Sequence, residues 1–284
     1  MQNKNQRASV IIPTYNRAEF ITKSLDSVWA QTYRPIEVLV IDDGSTDNTK
    51  DVVEQWFTAH ESKDFTAKYI YQKKSGAPAA RNTGIKHATG RYLQFSDSDD
   101  VLYPNKLELQ ISKMQEENTP ICICGYYHLD ENGNILLEIT NNRSFKEILQ
   151  SDLRLSTLIS VIDTTLIDAK FLKWNPKLKK YQDRDFHLKL FLIIESFSII
   201  DEPLFEWIRH KGERIFDSTK TSVKIPGSFL KSLIVFYYRN LSKIEPYKRP
   251  YIKKLFKALS KRTYITSGLG NIIPKQLKIW HYFK

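Results

Sequence analysis

The sequence predicts an α/β fold: an open, mostly parallel sheet flanked by helices, followed by a basic helical C-terminal extension. Three observations carry that prediction. Short β-branched apolar runs alternate with stretches of helical periodicity through the first hundred residues. Polar clusters of unusual composition follow those runs directly, at Pro13-Thr14-Tyr15-Asn16, Asp42-Asp43-Gly44 and Asp97-Ser98-Asp99-Asp100. Positive charge is concentrated at one end. Residues 211–284 hold 17 Lys or Arg against three acids, a net +14, which leaves −3 of the chain's +11 for residues 1–210.

Residues 8–13 (ASVIIP) form the first strand, closed by proline, and 36–41 (IEVLVI) the second. Between them Phe20, Ile21, Leu25, Val28 and Trp29 recur at helical spacing. The second run stops at Asp42-Asp43-Gly44-Ser45-Thr46-Asp47, a turn rich in capping residues, and Val52, Val53, Trp56 and Phe57 mark the helix after it. A third strand (Ala67–Gln72), a helix near Ala79–Ala88 and a fourth strand (Arg91–Ser96) follow. Strands alternating with single helices imply right-handed crossovers and a parallel sheet covered on both faces. Such sheets bind ligands beyond the carboxyl ends of their strands, where the three polar clusters fall.

A helix is expected at Pro104–Glu117, with proline in its first turn, and a hairpin at Ile121–Leu129 and Ile135–Thr140 around Asn132-Gly133. Helical pieces near 144–151, 163–172 and 182–195 and a strand pair near 197–209 complete the central part. From Pro226 onward the pattern is of basic amphipathic helices broken at Pro246, Pro250 and Pro274. The expected organisation is one domain over 1–225, in two halves (1–100 and 101–225), then a helical extension over 226–284.

Composition excludes several classes. With 284 residues, 41% apolar and 12% aromatic, the chain has material for a large core and is neither disordered nor low-complexity. Its two cysteines, Cys122 and Cys124, are too few for a disulfide-stapled domain and alternate with isoleucines as small core residues do. No apolar run reaches the ~20 residues of a membrane-spanning helix, and the polar Met1–Arg7 stretch has no signal-peptide pattern. A cytoplasmic enzyme is expected. No phosphate loop of the G-x-x-x-x-G-K type and no G-x-S-x-G elbow is present, which removes support for an ATPase or a serine hydrolase.

Asp97 and Asp99 lie two apart after a strand, so an extended segment would aim both carboxylates to one side. Adjacent carboxylates repel unless a cation sits between them, and hard oxygen donors without nearby His or Cys favour Mg²⁺ or Mn²⁺. The competing reading is a solvated acidic turn ahead of the helix at Pro104. Asp43 exceeds what capping requires and is suited to a base or ribose contact. Gly76-Ala77-Pro78-Ala79-Ala80-Arg81 is a small-residue helix start suited to close approach of an anion, with Arg81 as phosphate partner.

These segments together resemble family 2 glycosyltransferases of the GT-A fold, a Rossmann-like architecture, as found in bacterial capsule, O-antigen and other surface-polysaccharide assembly. The resemblance covers residues 7–210. It rests on SVIIPTYNR at 9–17, VIDDGSTD at 40–47, GAPAARNTGI at 76–85, GRYLQFSDSDD at 90–100 and YQDRDF at 181–186. It implies that Pro13, Thr14, Tyr15, Asn16, Asp43, Gly76 and Arg81 line a nucleotide-sugar site, UDP-linked by expectation. Asp97 with Ser98 and Asp99 would meet the sugar diphosphate and a divalent metal, Mn²⁺ or Mg²⁺. His210, in a segment similar to the family's Y-R-x-H, is carried over as a further metal contact, although Ile208 stands where Arg is frequent.

The family's E-D motif supplies the general base and here reads Gln182-Asp183. At ~100° per residue, Phe186, Leu190, Ile193 and Phe197 define one apolar face. Asp183 falls near that face, while Asp185 points away and is expected to be a solvated surface charge. Asp183 is thus the expected base of an inverting single displacement onto a glycan or lipid-linked acceptor hydroxyl. A non-catalytic binding protein on a degenerate domain and a nucleotidyltransferase are the alternative readings. Intact Asp97, Asp99 and Asp183 argue against the first, and the absence of a basic phosphate motif near Arg17 against the second. For the tail, apolar Phe229, Leu233, Phe236, Tyr237, Ile252, Leu255, Phe256 and Leu259 interleaved with Lys and Arg suggest an interfacial helix on an anionic membrane, hence a peripheral location at the inner face of the cell membrane. The alternative is an apolar face packed on protein. No nucleic-acid module is recognisable, and no nucleic-acid partner is expected.

Overall fold

The computed structural model describes residues 6–60, 62–140, 144–150, 155–208 and 226–262. The described elements fall into two compact units, the first holding all nine strands with helices α1–α4 and the second helices α5–α8.

The first unit opens with β1 (Ala8–Thr14), α1 (Ile21–Trp29), β2 (Ile36–Asp42), α2 (Thr49–His60), β3 (Phe65–Tyr71), α3 (Ala77–His87) and β4 (Tyr92–Phe95). These strands pair in parallel in the order β3-β2-β1-β4. Every residue of β1 and β2 is buried, as expected of strands with both faces covered. Their register pairs Ala8 with Ile36 and Thr14 with Asp42, so both strands end at one level and bring Thr14–Asn16 beside Asp42–Gly44. Helix α3 lies tightly on β1. A Cβ on Gly84 would stand 2.4 Å from Ile11 Cγ2, a distance only glycine avoids. At the opposite end of the sheet the buried Glu37 carboxylate accepts from the Ser9 hydroxyl, Thr89 and the Gly90 N–H, closing strand starts that would otherwise leave polar groups unpaired.

The rest of the first unit comprises β5 (Val101–Leu102), α4 (Lys106–Glu117), β6 (Ile121–Leu129), β7 (Ile135–Ile139), β8 (Ser160–Asp163) and β9 (Ser198–Ile208). The sheet continues β4-β8-β6-β9-β5, with β7 on β6. Here β4, β6, β7 and β8 pair antiparallel and β6 with β9 parallel. The expected hairpin is present at β6–β7. Two expectations are corrected. The segment near 197–209 is a single strand, bent by register shifts around Gly125 rather than broken into a pair. Residues 163–172 hold the end of β8, turns and one 3₁₀ turn at Ala169–Phe171 in place of a helix. Lys106 is fully buried in this core, and its ammonium donates to the side chains of Gln94 and Gln110. Burial pushes its pKa down.

The second unit contains α5 (Phe145–Gln150), α6 (Gln182–Ile193), α7 (Gly227–Arg239) and α8 (Arg249–Arg262). Tyr181, just ahead of α6, stacks on Phe229 of α7 (5.2 Å), and Tyr237 of α7 meets Phe256 of α8 edge-on (5.5 Å). The apolar stripe of the tail is spent here. Phe229, Leu233, Tyr237, Ile252, Leu255, Phe256 and Leu259 are buried and Phe236 is half-buried, whereas Lys231, Lys253, Lys254 and Lys257 are exposed. An interfacial helix needs that stripe turned outward, so for these residues the packing alternative holds, and what faces solvent is charge. Lys248 closes the carboxyl end of α6, donating to the Phe191 carbonyl (3.2 Å) and to that of Ile194. Burial lowers its pKa to about 8 against the opposing pull of Glu245 and Glu195. Among the described residues no helix is long and apolar enough to cross a membrane.

Candidate functional site

In the first unit the ends of β1, β2, β3 and β4 and the start of α3 carry most of the residues singled out above. Their loops are laced together. Asn16, at φ 50°, donates its N–H to Ser45 Oγ (2.9 Å) and accepts from Thr46 N–H (2.8 Å). Asp42 is used internally, accepting from Ser45 N–H (2.7 Å) and Tyr69 OH (2.5 Å).

Asp43 is 4% exposed and holds the loop between β3 and α3. Its Oδ1 accepts from Gln72 Nε2 (2.7 Å) and Ser75 N–H (2.8 Å), and its Oδ2 from Gly76 N–H (2.6 Å). The Asp43 carboxylate thus takes up the Ser75 and Gly76 amides just ahead of α3. Gln72 was missed at the sequence level. Its signal was register, because β3 aligns Tyr71 with Asp42, which sets the next residue level with Asp43. Tyr15 is 37% exposed, and Lys74 Nζ lies 3.6 Å from the centre of its ring. The Thr14 and Ser96 hydroxyls, at the ends of β1 and β4, are buried with no hydrogen bond among the described residues. Such groups mark a floor where a ligand atom restores a bond that burial removed.

The Asp97–Asp100 segment is a turn rather than extended chain, with Asp100 N–H donating to Asp97 O (3.4 Å). Its backbone is tied to α1 through Ser24 Oγ (3.0 Å), and Asp100 Oδ1 accepts from Ile208 N–H (3.2 Å). Ser98 is buried. Asp97 Oδ1 meets Arg81 Nη2 at 2.6 Å, and Asp99 Oδ2 meets Arg17 Nη2 at 3.6 Å. Arg81 is 4% exposed, with its guanidinium over Trp174 (4.5 Å) and within 3.4 Å of Thr157 Oγ1. It clamps Asp97 from the buried side. Asp99 also borders an open pocket of about 290 Å³ with Glu19, Phe20, Leu129 and Glu206.

Among the described residues no trio of His, Cys, Asp and Glu forms a metal cage. The donor set at Asp97 and Asp99 nonetheless fits a hard divalent cation of the kind held by one or two carboxylates, with water and phosphate oxygens completing its shell. Each carboxylate has one oxygen turned to an arginine, and Asp97 Oδ2 takes no hydrogen bond among the described residues. His210, the third expected ligand, lies outside the described residues.

Asp183 and Asp185 belong to the second unit, in the first turn of α6. Asp183 is half-buried. Asp185, expected at the surface, is fully buried and forms an ion pair with Lys189 (2.5 Å), which also donates to Ser232 of α7 (2.7 Å). The two-faced picture of α6 fails because the five consecutive residues Arg184 through Leu188 are all buried, which covers the face expected to be wet at Asp185. Burial pushes the Asp185 carboxyl up, with Lys189 and Ser232 pulling the other way. His187 is buried, and its Nδ1 bonds the Asp183 backbone oxygen (2.8 Å). Gln182 donates to the Leu178 and Lys179 carbonyls and so braces the helix start.

The profile of the glycosyl transferase family 2 matches residues 9–205. The chain belongs to this family. Among curated relatives, Glycosyltransferase GlyG of Streptococcus pneumoniae is 28% identical over 82% of this chain and 68% of its own length. UDP-Glc:alpha-D-GlcNAc-diphosphoundecaprenol beta-1,3-glucosyltransferase WfgD of Escherichia coli is 38% identical over 56% of the chain and 61% of that protein. An uncharacterized glycosyltransferase of Rickettsia conorii is 42% identical over 46% of the chain, which spans only 21% of that relative's length. Of solved structures, S. aureus TarS 1–349 in complex with UDP-GlcNAc superposes with a TM-score of 0.70 at 23% identity, covering 90% of this chain and 72% of that one. The fold is thus that of the family's GT-A members.

Proposed function

We propose that this family 2 member is an inverting, metal-dependent glycosyltransferase. It moves a hexose from a nucleotide-linked donor, UDP-linked, to a hydroxyl of a glycan or lipid-linked acceptor in bacterial surface-polysaccharide synthesis. The observation that carries the reading is the set of strand ends in the first unit. There Tyr15, Asp43 and the start of α3 adjoin a turn whose two carboxylates are each braced by an arginine. WfgD, a UDP-Glc transferase by name, supports the donor class. The complex of TarS with UDP-GlcNAc and that of a Pyrobaculum calidifontis mannosyltransferase with GDP-Man and Mn²⁺ agree with it in fold.

In this mechanism the acceptor oxygen attacks the anomeric carbon while its proton passes to the Asp183 carboxylate. The bond from that carbon to the diphosphate breaks, and configuration inverts. Arg81 holds Asp97 in place, with Arg17 near Asp99, which limits reorganisation when the leaving group develops charge. Asp97 and Asp99 would hold a divalent metal, which would supply charge neutralisation for the diphosphate. General-base assistance is worth about 10²–10⁴ in rate.

Transfer from a panel of nucleotide sugars, with and without chelator, tests this reading alongside donor titration. Asp183→Asn is expected to lower kcat by about 10²–10⁴ while donor affinity stays within twofold or so. Asp99→Asn is expected to lower both. Near-normal turnover by Asp183→Asn would remove the base assignment, and failure to bind any nucleotide sugar would remove the function.

A further inference from the structure

Lys74 belongs to the loop that Asp43 clamps through Gln72, Ser75 and Gly76, so its backbone is fixed. The turn after β2 presses on it from the other side. At Gly44, φ +88°, an added Cβ would lie 3.0 Å from Lys74 N. From this fixed base the four-carbon stem crosses to the β1 end and lays its ammonium on the Tyr15 ring, 3.6 Å from the centroid. The nearby arginines already serve carboxylates, Arg81 that of Asp97 and Arg17 that of Asp99. Among the described residues Lys74 has no carboxylate partner, and Tyr15 is more than a third exposed, a setting in which such attraction is weak.

Resting on the donor reading above, we propose that Lys74 is a displaceable cover on the Tyr15 ring that becomes a diphosphate contact when donor binds. An aromatic face at a nucleotide site is a stacking platform for a base. In the donor-free protein the ammonium occupies that platform. A base that takes the ring expels the ammonium. The freed charge then turns to the diphosphate, for which Lys acts as a flexible point charge. Base recognition and phosphate recognition are thereby coupled through one side chain.

The test is calorimetric titration of uridine, UMP and UDP into wild-type protein, Lys74→Met and Lys74→Arg, with Mg²⁺ present, at low and high salt. Lys74→Met is expected to weaken UDP roughly tenfold, the loss of one charge-assisted contact. Uridine should bind as well as to wild type or better, because its platform is uncovered. Lys74→Arg should keep UDP affinity, which shows that the loop is intact. Equal UDP affinity in wild type and Lys74→Met, or a parallel loss of uridine and UDP, would overturn the proposal while leaving the donor reading standing. A wild-type protein that binds none of these nucleotides and no other nucleoside diphosphate would overturn both.

Discussion

Three donors converge on the two oxygens of Asp43, and an amide in its place offers one acceptor oxygen and two unwanted hydrogens. Asp43→Asn should therefore loosen the loop before α3 and raise the donor KM by roughly tenfold, with kcat less changed, as steady-state kinetics would show. Asp185 behaves differently because its carboxylate is committed to Lys189. Its folded pKa is raised by burial, so the folded state holds a proton that the unfolded state has released, and stability falls as pH rises from the unfolded value through the folded one. Asp185→Asn should flatten that slope in acid melts. It should also destabilise the fold near neutrality by about 3 kcal/mol, since Lys189 loses its counter-charge. These two residues show what was and was not legible. Asp43 was visible as an excess over capping, but that three loop donors would saturate it depends on register. Asp185 was misplaced because helical-wheel reasoning assumes a wet face opposite the apolar one, and at 185 that face is covered by Lys189 and α7.

Among the elements, the strands and helices of the first hundred residues follow their sequence periodicity to within about two residues, since apolar runs with capped ends leave few alternatives. Later elements depend on partners. β9 stays one strand because β6 bends with it at Gly125, a tertiary effect that no local pattern encodes. Helix α3 illustrates the same dependence energetically. Gly84→Ala improves helix propensity by about 1 kcal/mol, yet its methyl collides with Ile11, and overpacking of this kind costs about 1–3 kcal/mol. Urea melts should show a net loss. Lys248 at the end of α6 gives a prediction of opposite pH sense. Its folded pKa of about 8 lies below the unfolded one, so stability rises as pH climbs from about 8 toward the unfolded value. Lys248→Met should be less stable than wild type at neutrality, because two carbonyls of α6 lose their donor, and the gap should widen between pH 8 and 10.

For the whole molecule, charge asymmetry was correctly located by counting but its apolar counterpart was not, because a buried and a membrane-facing stripe have the same period. Leu255→Ala or Phe256→Ala should destabilise the second unit by about 2–5 kcal/mol, a core penalty that an exposed stripe would not incur. Replacing Lys253, Lys254 and Lys257 by Gln should leave the melt unchanged within about 0.5 kcal/mol. Co-sedimentation with anionic vesicles, at low and high salt, then reports whether the outward charge has a lipid partner.

Asp43 grips the start of α3, and Arg81 five residues along the same helix grips Asp97. One rod therefore gauges the separation of the two anchor points, at about 1.5 Å per residue. A ruler of fixed length measures whatever lies along it. Packing beneath the rod, where Gly84 lies on Ile11, thus sets how far apart those two anchors stand.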